Sequence, residues 1–198
     1  MACACACSTI FFHAHLGDLR DHYETIAEPA NGYLTQLQDA CVLVDAVASE
    51  TADWARQTHL ATLLSLDNTV ALSVFIIGDL WAIALSYDGK AGPVAAFTPD
   101  NSKAIDQLPH VLFALEKQLV DLFPDRVDAE AIDQIFGAML EGAVSAEDGI
   151  VELLDMLGCP PDWLRWSWYE TIPEQLFLDP DLTDRVAPLG EARTLWEE

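Results

Sequence analysis

The stretch VALSVFIIGDLWAIALSYDGK, residues 70–90, leaves a chain like this little freedom of fold. VALSVFII is apolar at almost every position, which is the pattern of a strand buried on both faces. Gly78-Asp79 then supplies a two-residue turn with glycine first. In LWAIALSY the side chains alternate in size. Trp81, Ile83, Leu85 and Tyr87 make a large face, and Ala82, Ala84 and Ser86 a small one. Asp88-Gly89 is the strongest hairpin dipeptide in the sequence. A third strand is expected near Val94–Thr98, where the preceding Gly92-Pro93 predicts a bulge or a sheet edge. Residues 70–98 therefore read as an antiparallel three-strand meander.

The flanking segments add helices. Residues 2–12 alternate and end in Ile10, Phe11 and Phe12, good strand formers. A helix is expected from Gly17 to Ala27, with Leu19, Tyr23 and Ile26 on one stripe, and a loop at Pro29, Asn31 and Gly32. Residues 41–47 (CVLVDAV) read as a strand. Ser49 is a candidate cap for a helix running to about Leu66, its stripe Ala55, His59 and Leu63. The small residues Ala2, Ala4 and Ala6, like Ala82, Ala84 and Ser86, suit a helix lying close to the sheet. Beyond Pro99 the pattern is helical. Pro109 suits a first turn, Leu112, Leu115, Leu119 and Leu122 give an apolar face, and Phe123-Pro124 ends that helix. Asp128 caps the next, and Ser145 with Asp148 forms a near capping box for a third that stops at Gly158. The expected class is α+β: an antiparallel sheet containing the meander, packed with helices, and a helical C-terminal half. Residues 1–178 are read as one domain and 179–198 as an acidic tail.

Charge restricts the partners. There are 33 acidic side chains against 9 Lys and Arg, a formal net charge of −24. Residues 1–99 carry 11 acids and 3 bases, and residues 100–198 carry 22 acids and 6 bases. Such a chain repels nucleic acids and anionic membranes and attracts basic partners or cations. Solubility or adaptation to salt explains the same charge without a partner. No run of about 18 uncharged apolar residues is present, so no membrane-spanning helix is expected. No Lys or Arg precedes Arg20, so the basic start of a signal peptide is lacking. Five cysteines, an odd number with no Cys-x-x-Cys, fit reduced thiols better than a disulfide scaffold. Together these point to a cytoplasmic protein.

The candidate sites are few. Cys3, Cys5 and Cys7 share one face of an extended strand, with His13 and His15 beyond. Same-face neighbours in a strand lie ~6.5–7 Å apart, whereas sulfurs around a zinc ion lie ~3.8 Å apart. The outer cysteines would be ~13 Å apart, so three in line do not share one ion without a bend. The expectation is a packed strand with no cofactor. A thiol-based metal or redox site at Cys3, Cys5 and Cys7 is the alternative. His59 is expected to pack in its helix stripe, His22 with Asp18 and Asp21 to be a solvated polar face, and His110 to have no role. Trp163, Trp166 and Trp168 are either a partner-binding surface or a seal on the core. Nucleotide-binding loops, the nucleophile elbow and the His-Glu-x-x-His zinc motif are all missing.

The FF-ending first strand, the VALSVFIIGDLWAIALSYDGK hairpin, VAAFTP and the late LGCPPDWLRWSWYE follow one another in an order that resembles small bacterial α+β proteins of no assigned function. The resemblance spans the chain to about Gln175 and brings no catalytic residues. In charge and size the chain is similar to acidic immunity proteins that neutralise basic toxins, a comparison of composition only. The expected function is a non-enzymatic binding module whose acidic helical half engages a basic protein. A metal or redox protein comes second, and an enzyme built from dispersed residues third.

Overall fold

The computed structural model describes residues 5–37, 39–99, 101–159 and 186–190. In chain order the elements are β1 (Cys5–Phe12), α1 (Leu16–Ile26), β2 (Asn31–Gln36), β3 (Ala40–Asp45), α2 (Ala46–Thr51), α3 (Trp54–Leu64), β4 (Val70–Ile77), β5 (Leu80–Tyr87), β6 (Lys90–Phe97), α4 (Ser102–Leu122), α5 (Ala129–Leu140), α6 (Ala146–Met156) and β7 (Val186–Gly190). The strands form one sheet in the order β6-β5-β4-β1-β3-β2-β7. Every neighbouring pair is antiparallel. The fold is α+β, and none of the described helices is long and apolar enough to cross a membrane.

The meander stands where its turn residues place it. Gly78 takes φ +56° in the first turn, and Asp88 and Gly89 take φ +51° and +70° in the second, as a hairpin of that kind demands. The β5–β6 register shifts between Ala84 and Ser86, so the bulge falls at Gly92-Pro93 opposite Leu85. Only glycine fits there. A Cβ on residue 92 would lie 2.9 Å from the Leu85 carbonyl oxygen and 2.8 Å from Gln118 Oε1.

Alternation along the strands sends two sets of side chains to opposite faces. One set, including Ile10, Phe12, Val42, Leu72, Ile83 and Leu85, packs with Leu108, Leu112, Leu115 and Leu119 of α4 and with the apolar faces of α5 and α6. The other, including Phe11, Leu34, Cys41, Leu43 and Ala71, packs with Leu19 and Tyr23 of α1 and with Leu60, Ala61 and Leu64 of α3. The helices thus cover both faces. The small face of β5 does receive a helix: Thr62 of α3 lies 3.0 Å, oxygen to oxygen, from Ser86. Its register partners run through Phe75 to Cys7, whereas Ala6 pairs with Ile76 and so with Trp81. Ala2 and Ala4 lie outside the described residues.

Four local readings are corrected. The helix expected from Ser49 to Leu66 is two helices. Asp45 caps α2 and Asp53 caps α3, with Ala52 between them in the left-handed region at φ +54°. The stripe of α3 is Gln57, Leu60, Ala61 and Leu64, and His59 and Leu63 face solvent. Pro109 is not in a first turn; α4 starts after its cap Asn101 and runs straight through the proline. A proline inside a helix costs about 3 kcal/mol, offset here by the buried leucine face of α4. Two strands were not read: β2 begins at the expected loop residues Asn31 and Gly32, and β7 lies within the segment read as an acidic tail. The caps at Asp128 and Ser145 are as expected, each accepting a first-turn N–H, and Gly158 follows α6 at φ +79°.

Candidate functional site

Three polar features stand out, and the first two are each assembled from segments distant in sequence. The first is buried. Asp45 ends β3, is almost fully enclosed, and accepts four hydrogen bonds. The Ala48 N–H is at 2.7 Å, Arg56 Nε at 2.8 Å, Arg56 Nη2 at 3.0 Å and the Tyr23 hydroxyl at 2.6 Å. Arg56 also donates to the carbonyls of Glu28 and Pro29. Burial, and then the Asp45 charge, push the Tyr23 hydroxyl well above its usual range, so it stays protonated. The hydrogen bond to Asp45 raises the Arg56 guanidinium in turn. An acid, a phenol and a guanidinium in contact are the parts of an acid–base site. Here each is consumed in tying α1, β3, α2 and α3 together.

Beside it, Gln57 reaches from α3 into the sheet. Its Nε2 donates to the carbonyls of Ser8 and Val74, and its Oε1 accepts from the Cys7 thiol at 2.6 Å. Cys7 is therefore a buried donor against a helix. Cys5 lies in β1, paired with Ile77, and Cys3 lies outside the described residues. Among the described residues no three His, Cys, Asp or Glu side chains converge to hold a metal ion. Cys41 is likewise enclosed. Its thiol donates to Gln36 Oε1, and burial pushes it up to about 11, far from a reactive thiolate.

The second feature is a cleft lined by His13, Ala14, His15, Gln36, Asp39 and Arg126. It lies where the β1–α1 corner, the β2–β3 turn and the α4–α5 loop meet.

The third is the outer surface of the α4–α6 layer. Ten acidic residues lie between Asp121 and Asp155, all exposed, against a single base, Arg126. Arg126 does not offset them, because its Nη2 lies 3.0 Å from Asp39 Oδ2 on the β2–β3 turn. Within the layer the acids crowd each other: partial burial and the Asp133 charge raise the carboxyl of Glu116 above its ordinary value. Phe113, 65% exposed, stands on the outside of α4.

The residues singled out in the sequence are scattered by the fold. His22 and His110 are exposed on α1 and α4, as is His59 on α3. Trp163, Trp166 and Trp168 lie outside the described residues. Asp45, Arg56 and Gln57 were missed. The signal available for Asp45 was an acid closing an apolar strand immediately before a small-residue helical run. The chain matches no family model, no curated protein and no solved structure.

Proposed function

We propose that the protein is a non-enzymatic binding module that engages a basic protein through the acidic outer surface of α4, α5 and α6. The carrying observation is the charge of residues 121–155: ten exposed acids, with Arg126, the one base among them, paired to Asp39. A surface carrying so many like charges costs stability through self-repulsion; at Glu116, burial first and the Asp133 charge second raise the carboxyl. A basic partner relieves that repulsion on binding, which gives the arrangement a use. The buried Asp45, Arg56 and Tyr23 support the reading from the other side, since their hydrogen bonds are spent on the fold.

The experiment is an affinity capture with paired charge reversals. One variant carries Asp133→Lys, Glu152→Lys and Asp155→Lys on α5 and α6; the other carries Asp21→Lys, Glu50→Lys and Asp79→Lys on the opposite half. The expected result is a basic protein retained by the wild type and by the second variant and lost by the first. Capture of an acidic protein, or equal loss from both variants, would overturn the proposal.

A further inference from the structure

The cleft at the β1–α1 corner gathers basic side chains in a chain that has few of them. Its volume is ≈ 270 Å³, room for one small ion and a few waters at about 30 Å³ per water. Its charged and titratable lining residues are His13, His15, Asp39 and Arg126. Arg126 is held from two sides, with Nη1 donating to the Leu157 carbonyl at 2.9 Å and Nη2 to Asp39 at 3.0 Å. His13 is equally fixed. Its ring stacks on Phe123 with centroids 6.1 Å apart, and its backbone N–H donates to the Asp39 carbonyl at 3.4 Å. Its backbone sits at φ +62°, a conformation that costs a residue with a Cβ of order 1–3 kcal/mol and concentrates at functional positions. His15 stands at the N-cap of α1 and makes no side-chain cap bond, so the partial positive end of that helix adds to the same corner. Asp18, in the first turn of α1, is the acid nearest to it in sequence.

This set does not suit a cation. His13, His15 and Asp39 do not form a metal-holding group, and the Arg126 guanidinium in the same cleft repels a metal. We infer that the cleft binds a small oxyanion of the sulfate, phosphate or carboxylate kind, held by Arg126 and by N–H donors of the two imidazoles. Asp39 orients Arg126. Arg126 belongs to the segment that carries the acidic layer, but neither reading requires the other.

The test is proton NMR of the histidine rings of the full chain, titrated with sulfate, inorganic phosphate or acetate at constant ionic strength. Sulfate keeps its charge and reads the protein alone. The expected result is that sulfate moves the His13 and His15 signals and leaves His22, His59 and His110 in place. Arg126→Gln should abolish the response. Because that change also removes the contacts to Leu157 and Asp39, His15→Gln is the second variant, expected to weaken binding about tenfold. A response to sulfate and phosphate assigns a phosphate-type ligand, and a response to acetate alone assigns a carboxylate. Equal shifts at all five histidines, no shift, or Zn²⁺ moving both rings at lower concentration than sulfate would each overturn the inference.

Discussion

The two faces of the sheet are built on opposite plans. Under α1, α2 and α3 the interior holds polar groups: Asp45 with Arg56 and Tyr23, Gln57 with Cys7, Thr9 with Ser73. Under α4, α5 and α6 it is packed with leucine, isoleucine and phenylalanine, and the charge lies outside. An apolar interface tolerates sliding and repacking among similar side chains. A buried hydrogen-bonded network does not, because an unmet polar group in the interior costs about 1–3 kcal/mol. The first face thus fixes how the helices sit, and the second obtains its stability from area alone, leaving its outer surface free to carry charge.

The largest expected effect breaks the first plan. Asp45→Asn removes the charge that Arg56 and Tyr23 are arranged around, and loss of one partner of a buried ion pair typically costs about 3–5 kcal/mol. Urea unfolding should show it directly. A loss below about 1 kcal/mol would place Asp45 among ordinary surface pairs and remove the contrast between the faces. Leu115→Ala breaks the second plan. Leu115 is fully buried in α4, and the cavity should cost about 2–5 kcal/mol without moving the acidic outer surface. If this variant also rearranged the α1–α3 face, visible in amide exchange, the two layers would not be separable.

The same contrast explains what the sequence disclosed. The meander was legible because Gly78-Asp79 and Asp88-Gly89 are local signals needing no partner. The caps of α5 and α6 were legible for the same reason. The α3 stripe was misphased because its buried residue next to Leu60 is Gln57, and hydropathy counts an amide as exposed. His59 was favoured in its place. β2 and β7 escaped because each is short, and pairing with a neighbour rather than its own pattern makes each a strand. The cleft had no local signal at all. His13 and His15 lie two residues apart, but Asp39 and Arg126 reach them only through the fold, as Arg56 reaches Asp45.

A smaller effect sharpens the view of the acidic layer. The Glu116 carboxyl lies above its unfolded value, so the folded chain holds that proton more tightly. The stability linked to it is present at low pH and lost as pH rises through the window between the ordinary and the raised value. At neutral pH the ionised group is therefore unfavourable. Glu116→Gln should raise the unfolding midpoint at pH 7, by no more than the ~0.5 kcal/mol usual for surface changes. The gain should vanish below about pH 4, where the carboxyl is protonated in both states. Destabilisation at pH 7 would mean that Glu116 has a favourable partner.

On the function proposed above, the α4–α6 surface meets a basic partner by long-range attraction. Stopped-flow association rates of the captured partner across a salt series decide this. The screening length falls from roughly 30 Å at 0.01 M salt to about 8 Å at 0.15 M, so a steered encounter slows steeply over that range. This fall is expected for the wild type and for the Asp21, Glu50 and Asp79 reversals. Expected instead is a slow rate with little salt dependence for the Asp133, Glu152 and Asp155 reversals, with folding stability nearly unchanged. Rates that ignore both salt and these three reversals would contradict that function and leave the charge as a means of staying in solution.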